Sequence, residues 1–193
     1  TQHEPENARA LLQDAIETAP HAPRPRIDLA RLLGNEGNPL GAYEALQKCI
    51  EFAPTAMPLM AGPLAGFAIA CGRSFEALTL LKGNYELTPS LDVLDAIVVL
   101  EASTEGPSPT ARDWYVRHLE REPSLVAAAK WIAGEKLEHE QFHPQVQRAL
   151  DHAVKPLTRY RCAACGFEAK QHFWQCPGCQ AWDSYPSRRV EEL

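Results

Sequence analysis

Leu29, Leu32 and Leu33, and again Leu91, Leu94, Ile97 and Val98, stand three and four residues apart among polar neighbours. That spacing puts them on one face of an α-helix. Read along the chain, the same periodicity predicts helices over roughly 5–18, 25–34, 40–52, 57–70, 74–87, 91–103, 109–121, 124–137 and 144–154. Breakers separate them: Gly34-Asn35-Glu36-Gly37-Asn38-Pro39, Gly72, and Gly106-Pro107-Ser108-Pro109.

The helices fall into a repeat. Ala19-Pro20, Ala53-Pro54, Thr88-Pro89 and Glu122-Pro123 place prolines at intervals of 34, 35 and 34. Twelve residues before each proline stands Ala8, Ala42, Ala77 or Ala111, and eight before it Leu12, Leu46, Leu81 or Tyr115. A small residue lets two helices approach, and a larger one a turn later fills the groove between them. Proline disfavours helix at the residue before it, so it closes one unit and opens the next. A period of 34 is that of tetratricopeptide repeats. The large aromatic usual early in the first helix of such a unit is missing, with Arg26 and Ala61 at two equivalent positions. The fold class predicted is all-α: a tetratricopeptide-like helical-hairpin solenoid over 1–156, followed by a small module over 157–193. The chain opens in the second half of a unit, with Leu11, Leu12, Ala15 and Ile16 forming an apolar face. Terminal repeats normally carry a polar outer face, so the expectation is that further repeats, and a membrane anchor, precede this segment.

Composition changes the picture in two ways. The net charge of −6 is unevenly placed, because from Lys155 onward six Lys/Arg face four Asp/Glu. An acidic body with a C-terminal segment of only +2 argues against nucleic-acid binding. Four of the six cysteines crowd into 18 residues, a distribution that suits a metal site in a reducing compartment rather than a disulfide scaffold.

That cluster reads Tyr160-Arg161-Cys162-Ala163-Ala164-Cys165-Gly166-Phe167, then Trp174-Gln175-Cys176-Pro177-Gly178-Cys179-Gln180-Ala181-Trp182. Two residues between thiolates let one tight turn aim both sulfurs at a common point, and two such turns complete a tetrahedral S4 site. Cys162, Cys165, Cys176 and Cys179 are therefore the predicted ligands of one metal ion, iron or zinc. Gly166 stands where such a knuckle needs positive φ. Tyr160, Phe167, Phe173, Trp174 and Trp182 supply nearly all the apolar surface of this segment, so metal binding is expected to be coupled to folding. The connection from Val154 to Arg159 is short, which predicts that the module docks on the last repeats.

The remaining candidates read as ordinary structure. Cys49 and Cys71 are small hydrophobes of helix packing. His139 and His143 stand four apart, but Pro144 breaks the common helical face a metal pair would need. Arg188, Arg189, Glu191 and Glu192 form a charged tail expected to be solvated. No phosphate loop, nucleophile elbow or His-Glu-x-x-His motif is present, and with a repeat scaffold this predicts no enzymatic activity.

Repeats ending in Tyr-Arg-Cys-x-x-Cys-Gly-Phe and Trp-x-Cys-Pro-x-Cys-x-x-Trp resemble the lipopolysaccharide assembly protein B (LapB/YciM) family, sharply over 160–182 and in architecture elsewhere. Gln180 departs from the glycine of an ordinary rubredoxin, and the loop between knuckles is shorter. The resemblance implies a non-enzymatic adaptor on the cytoplasmic face of the bacterial inner membrane. It also implies control of lipopolysaccharide synthesis by promoting degradation of the deacetylase LpxC by the protease FtsH, with LapC (YejM) as a further membrane partner. The oligomeric state stays open. A sensor of iron or redox state built on a repeat scaffold is the alternative.

Overall fold

The computed structural model describes residues 3–105, 110–135 and 140–193. The helices among them are α1 (His3–Thr18), α2 (Pro23–Asn35), α3 (Pro39–Phe52), α4 (Met57–Ala70), α5 (Ser74–Leu87), α6 (Leu91–Glu105), α7 (Thr110–Arg121), α8 (Leu125–Ala133) and α9 (His143–Val154). A two-stranded antiparallel hairpin follows, β1 (Tyr160–Arg161) with β2 (Glu168–Ala169), pairing Tyr160 with Ala169 and Arg161 with Glu168. The all-α solenoid with a small C-terminal cysteine module is thus the fold.

The repeat signature dictates the helix ends. α1, α3, α5 and α7 each stop two residues before Pro20, Pro54, Pro89 and Pro123. Within a unit the chain turns on glycine. Gly37 and Gly72 take φ of 78° and 72°, while Asn38 N–H bonds Leu33 C=O at 2.9 Å and Arg73 N–H bonds Ala68 C=O at 2.8 Å. These are Schellman closures, which only a residue free of Cβ strain makes at low cost. Asn38 and Ser124 cap α3 and α8 through Gly41 N–H and Ala127 N–H. α8 ends at Ala133, short of the predicted 137, with Gly134 at its C-terminus. The predicted breaker at 106–109 lies outside the described residues.

The packing positions behave as the repeat requires. Ala42 and Ala77 are fully buried, and so are Leu46 and Leu81. Tyr115 is half-buried and donates its hydroxyl to Asp95 at 3.1 Å. Ala8 and Leu12 are half-buried on α1, and the Ala111 side chain lies outside the described set. On the apolar face of α1, Leu12, Ala15 and Ile16 are half-buried and Leu11 is exposed. Where the usual aromatic is missing, Arg26 is buried instead. Its guanidinium lies 4.5 Å from the centre of the Phe52 ring and donates to Pro20 C=O. An arginine stacked on an aromatic face thus fills the gap.

α4 stands apart because it contains no polar or charged side chain at all. A helix that is apolar all round belongs in the core. It packs on α3, α5 and α6, Leu59 meets the cysteine module, and Gly62, Pro63, Gly66, Ile69 and Ala70 face solvent.

Buried between α5 and α7, the Tyr85 hydroxyl lies 2.7 Å from His118 Nδ1. Burial pushes the His118 imidazole below its ordinary value of 6.5. In the unfolded chain that value returns, so below about pH 6.5 the unfolded state takes up a proton that the folded state refuses. Stability from this pair is complete above that pH and declines as pH falls toward the depressed native value. His172, also lowered by burial, acts in the same direction. The melting temperature should therefore drop between pH 7 and 5, with a shallower slope in His118→Gln; an unchanged slope in that variant would refute the assignment.

Candidate metal centre

The module is two copies of one turn. Cys162 N–H bonds Phe167 C=O and Gly166 N–H bonds Cys162 C=O, each at 2.9 Å. Fourteen residues on, Cys176 N–H bonds Ala181 C=O at 2.9 Å and Gln180 N–H bonds Cys176 C=O at 2.8 Å. Even the strand pairing repeats: Arg161 faces Glu168, and Gln175 bridges Trp182. Gly166 takes φ of 77° and Gln180 takes 61° at the matching corner. Glutamine there carries the left-handed strain that glycine avoids, about 1–2 kcal/mol for a residue with a Cβ. Gln180→Gly is expected to raise stability by about 0.5–1 kcal/mol, the glycine's extra unfolded freedom taking back part of the relief. Chemical denaturation of the metal-loaded protein measures it, and a lower midpoint would contradict the strain.

The two knuckles bring together Cys162, Cys165, Cys176 and Cys179, whose sulfurs all lie within 4.8 Å of one another. Cys162 Sγ and Cys179 Sγ are 3.9 Å apart, and Cys165 Sγ and Cys176 Sγ 3.7 Å apart. A disulfide needs about 2.05 Å. A tetrahedron of thiolates around an ion at about 2.3 Å needs edges near 3.8 Å, so the donor set fits a single metal. The four cysteines form a rubredoxin-like metal-binding site, and iron and zinc suit it equally. With four sulfur donors the coordination is closed, leaving no position for a substrate or an activated water.

Local dipoles favour the thiolate form at Cys162 and Cys176, while at Cys165 the Phe167 N–H favours it and burial with the three neighbouring thiols pushes the thiol up, to about 12. The Ser184 hydroxyl, 3.2 Å from Cys162 Sγ, holds that thiol low, at about 6, helped by the backbone N–H groups of Cys165 and Ala164. At Cys176 burial works against ionisation, and the N–H groups of Cys179 and Gly178 outweigh it. Cys162 and Cys176 are buried, whereas Cys165 and Cys179 face solvent. Behind the buried pair, Tyr160 and Tyr185 close the module's own core, and Tyr185 donates to Phe167 C=O at 3.1 Å. Ser184 and Tyr185 belong to the site although they lie outside the cysteine motif. Phe167 and Trp182, two of the aromatics that supply the apolar surface of this segment, stay about half exposed, at 45% and 56%.

Docking reaches further than the last repeats. The module and tail run along the N-terminal ends of the first helices of four successive units. Arg24 of α2 lies under the Trp182 ring, Ser187 donates to Thr55 C=O just before α4, and Leu59 of α4 packs beneath the tyrosines. The tail completes the row, contrary to its predicted solvation. Glu192 accepts from Leu91 N–H at the start of α6, and Glu191 accepts from Ser124 Oγ, Leu125 N–H and Val126 N–H at the start of α8. Arg189 pairs bidentately with Asp92 at 2.8 and 2.9 Å and lies 4.1 Å from the centre of the Tyr160 ring. A carboxylate at a helix N-terminus meets unpaired donors and the positive end of the dipole, which is why the two glutamates of this charged tail are held here. Arg188 is half-buried.

The other candidates behave as structural residues. Cys49 is fully buried, its thiol pushed up to about 11 by burial. Cys71 is half-buried with Sγ 3.8 Å from Ala68 C=O. His143 Nε2 lies 3.1 Å from Ile132 C=O, and His139 lies outside the described residues.

Residues 160–185 match a family described as the rubredoxin metal binding domain. Over 97% of its length the chain is 24% identical to lipopolysaccharide assembly protein B of Escherichia coli strain K12, of which it spans 50%. It is 25% identical over 94% of its length to the protein of the same name from Haemophilus influenzae, spanning 48% of it. The chain thus spans about half the length of the curated relatives it matches, and their name agrees with the resemblance read from the motifs. Among the described residues no helix is long and apolar enough to cross a membrane.

Proposed function

We propose that this chain serves lipopolysaccharide assembly as a non-enzymatic scaffold, its repeats (1–156) held in shape by the metal module (157–193). The observation that carries the reading is the placement of the module. A closed S4 centre sits on a strap that touches the first helices of four units, so the metal supports a surface rather than a reaction. The similarity to the two assembly proteins supplies the process. The finer reading follows the family resemblance: an adaptor at the cytoplasmic face of the inner membrane that promotes FtsH-dependent proteolysis of LpxC and answers to LapC. In cells lacking the native protein, LpxC lifetime should lengthen several-fold and lipopolysaccharide should rise, and the Cys176→Ser/Cys179→Ser protein should fail to restore either. LpxC turnover indifferent to the deletion would sink the finer reading, and unchanged lipopolysaccharide the coarser one.

A second reading rests on the exposure of Cys165 and Cys179 beside the half-exposed rings of Phe167 and Trp182. Solvent-reachable sulfurs with aromatic surroundings suit a sensor of iron or redox state. It requires native iron with a reversible potential and a partner affinity that differs between oxidation states. A redox-inert native metal eliminates it.

A further inference from the structure

Between α6, α8, the linker after α9 and the module lies a cleft of about 470 Å³. Its charged lining is Lys130, Lys155, Arg159, Lys170 and Arg189 against Asp92 and Asp95. In a chain of net charge −6, this one cleft carries +3.

The two carboxylates are already engaged. Asp92 is taken by two nitrogens of Arg189, Nε and Nη2, and Asp95 by Lys130 and the Tyr115 hydroxyl. The other three cations are not neutralised in the same way. Arg159 makes only a long contact of 3.6 Å with Glu168, whose nearer partner is Arg161 at 2.8 Å. Lys155 and Lys170 are exposed and have no ion-pair partner among the described residues. Three like charges around one cleft repel each other, and neither folding nor the metal centre uses them. An anion between them would relieve that repulsion.

We propose that this cleft binds a phosphate-bearing ligand. A guanidinium fork and two mobile ammonium groups form the set that recognises phosphoryl oxygens, Arg159 by paired N–H donors and the lysines as point charges. The volume exceeds what a bare phosphate fills, and Leu91 and Val126 offer apolar wall to the remainder of the ligand. Because the cleft is assembled from repeats, linker, hairpin and tail together, an occupant binds only the docked state and stabilises it.

Inorganic pyrophosphate tests this on the metal-loaded chain by calorimetric titration and thermal shift at low salt. Phosphatidate vesicles, with phosphatidylcholine vesicles as control, distinguish a lipid headgroup from a free phosphoryl anion. Expected are saturable binding, a raised melting temperature, and affinity at least about tenfold weaker in Lys155→Ala/Lys170→Ala. Both lysines are exposed, and an unchanged melting temperature of the unliganded variant certifies its fold. Vesicle capture without pyrophosphate binding, abolished by the same variant, also supports the site and assigns it to a headgroup. Absence of binding in both arms, or equal binding by the variant, overturns it.

Discussion

Cys176→Ser/Cys179→Ser should lose its metal and, with it, order in both the module and the ends of the repeats. Thiolate–metal bonding supplies an apparent 10–16 kcal/mol to small metal-built folds, roughly. The module's own core is Tyr160, Tyr185 and the two buried cysteines, far too little for about 30 residues to hold alone. When it melts, α6 loses Glu192, α8 loses Glu191, and Asp92 loses Arg189. At about 1 kcal/mol for each of the two capping contacts and about 1 kcal/mol for the ion pair once both charges return to water, some 3 kcal/mol of support leaves the repeats. For a chain of this size that corresponds to a fall of about 10 °C in their melting temperature. Metal analysis and calorimetry read the two halves of the claim. Cys49→Ser, at a buried helix position away from the knuckles, should keep full metal content. Stoichiometric metal in the knuckle variant would remove the S4 assignment. An unchanged melting temperature would separate the metal from the scaffold.

The repeats and the knuckles were legible for the same physical reason: each is specified by residues close together in sequence. The prolines of the repeat signature follow a helix end and precede the next helix, a glycine at positive φ closes a helix, and Cys-x-x-Cys folds its own turn. The strap was not legible because its contacts are long-range. Arg189 meets Asp92 from 97 residues away, Glu192 meets Leu91 from 101, and Ser187 meets Thr55 from 132. By composition, Arg-Arg-Val-Glu-Glu reads as a solvated end, and nothing nearby tells it from one that caps helices. Two clues existed. α4 has no polar side chain, so an apolar residue such as Leu59 was open to cover from outside its neighbouring helices. Ser90, placed to cap α6, buries its hydroxyl without a hydrogen-bond partner, leaving Leu91 N–H to Glu192. The exposure of Phe167 and Trp182 was unreadable for another reason, since the small core is filled by tyrosines at 160 and 185.

Arg189 is the residue on which the strap turns. Its guanidinium joins four parts of the molecule: Asp92 of α6, Thr158 C=O of the linker at 2.9 Å, Lys170 C=O beyond the hairpin at 3.5 Å, and the Tyr160 ring. The pair is mostly shielded, with side-chain exposures of 24% for Arg189 and 19% for Asp92. Removing one partner leaves the other charge desolvated, which outweighs the net worth of the pair itself. Allowing for the residual exposure, Arg189→Ala should cost about 2–3 kcal/mol. Arg189→Lys should recover less than half, because an ammonium reaches neither both carboxylate oxygens nor the two carbonyls together. In a double-mutant cycle Asp92→Asn should show a coupling with Arg189→Ala of about 1–2 kcal/mol. Additive effects in that cycle, or a loss below about 0.5 kcal/mol, would make Arg189 a surface charge. If the coupling appears, the metal content of Arg189→Ala should stay full while its repeats melt early. The metal builds the module, and this arginine fastens it to the repeats.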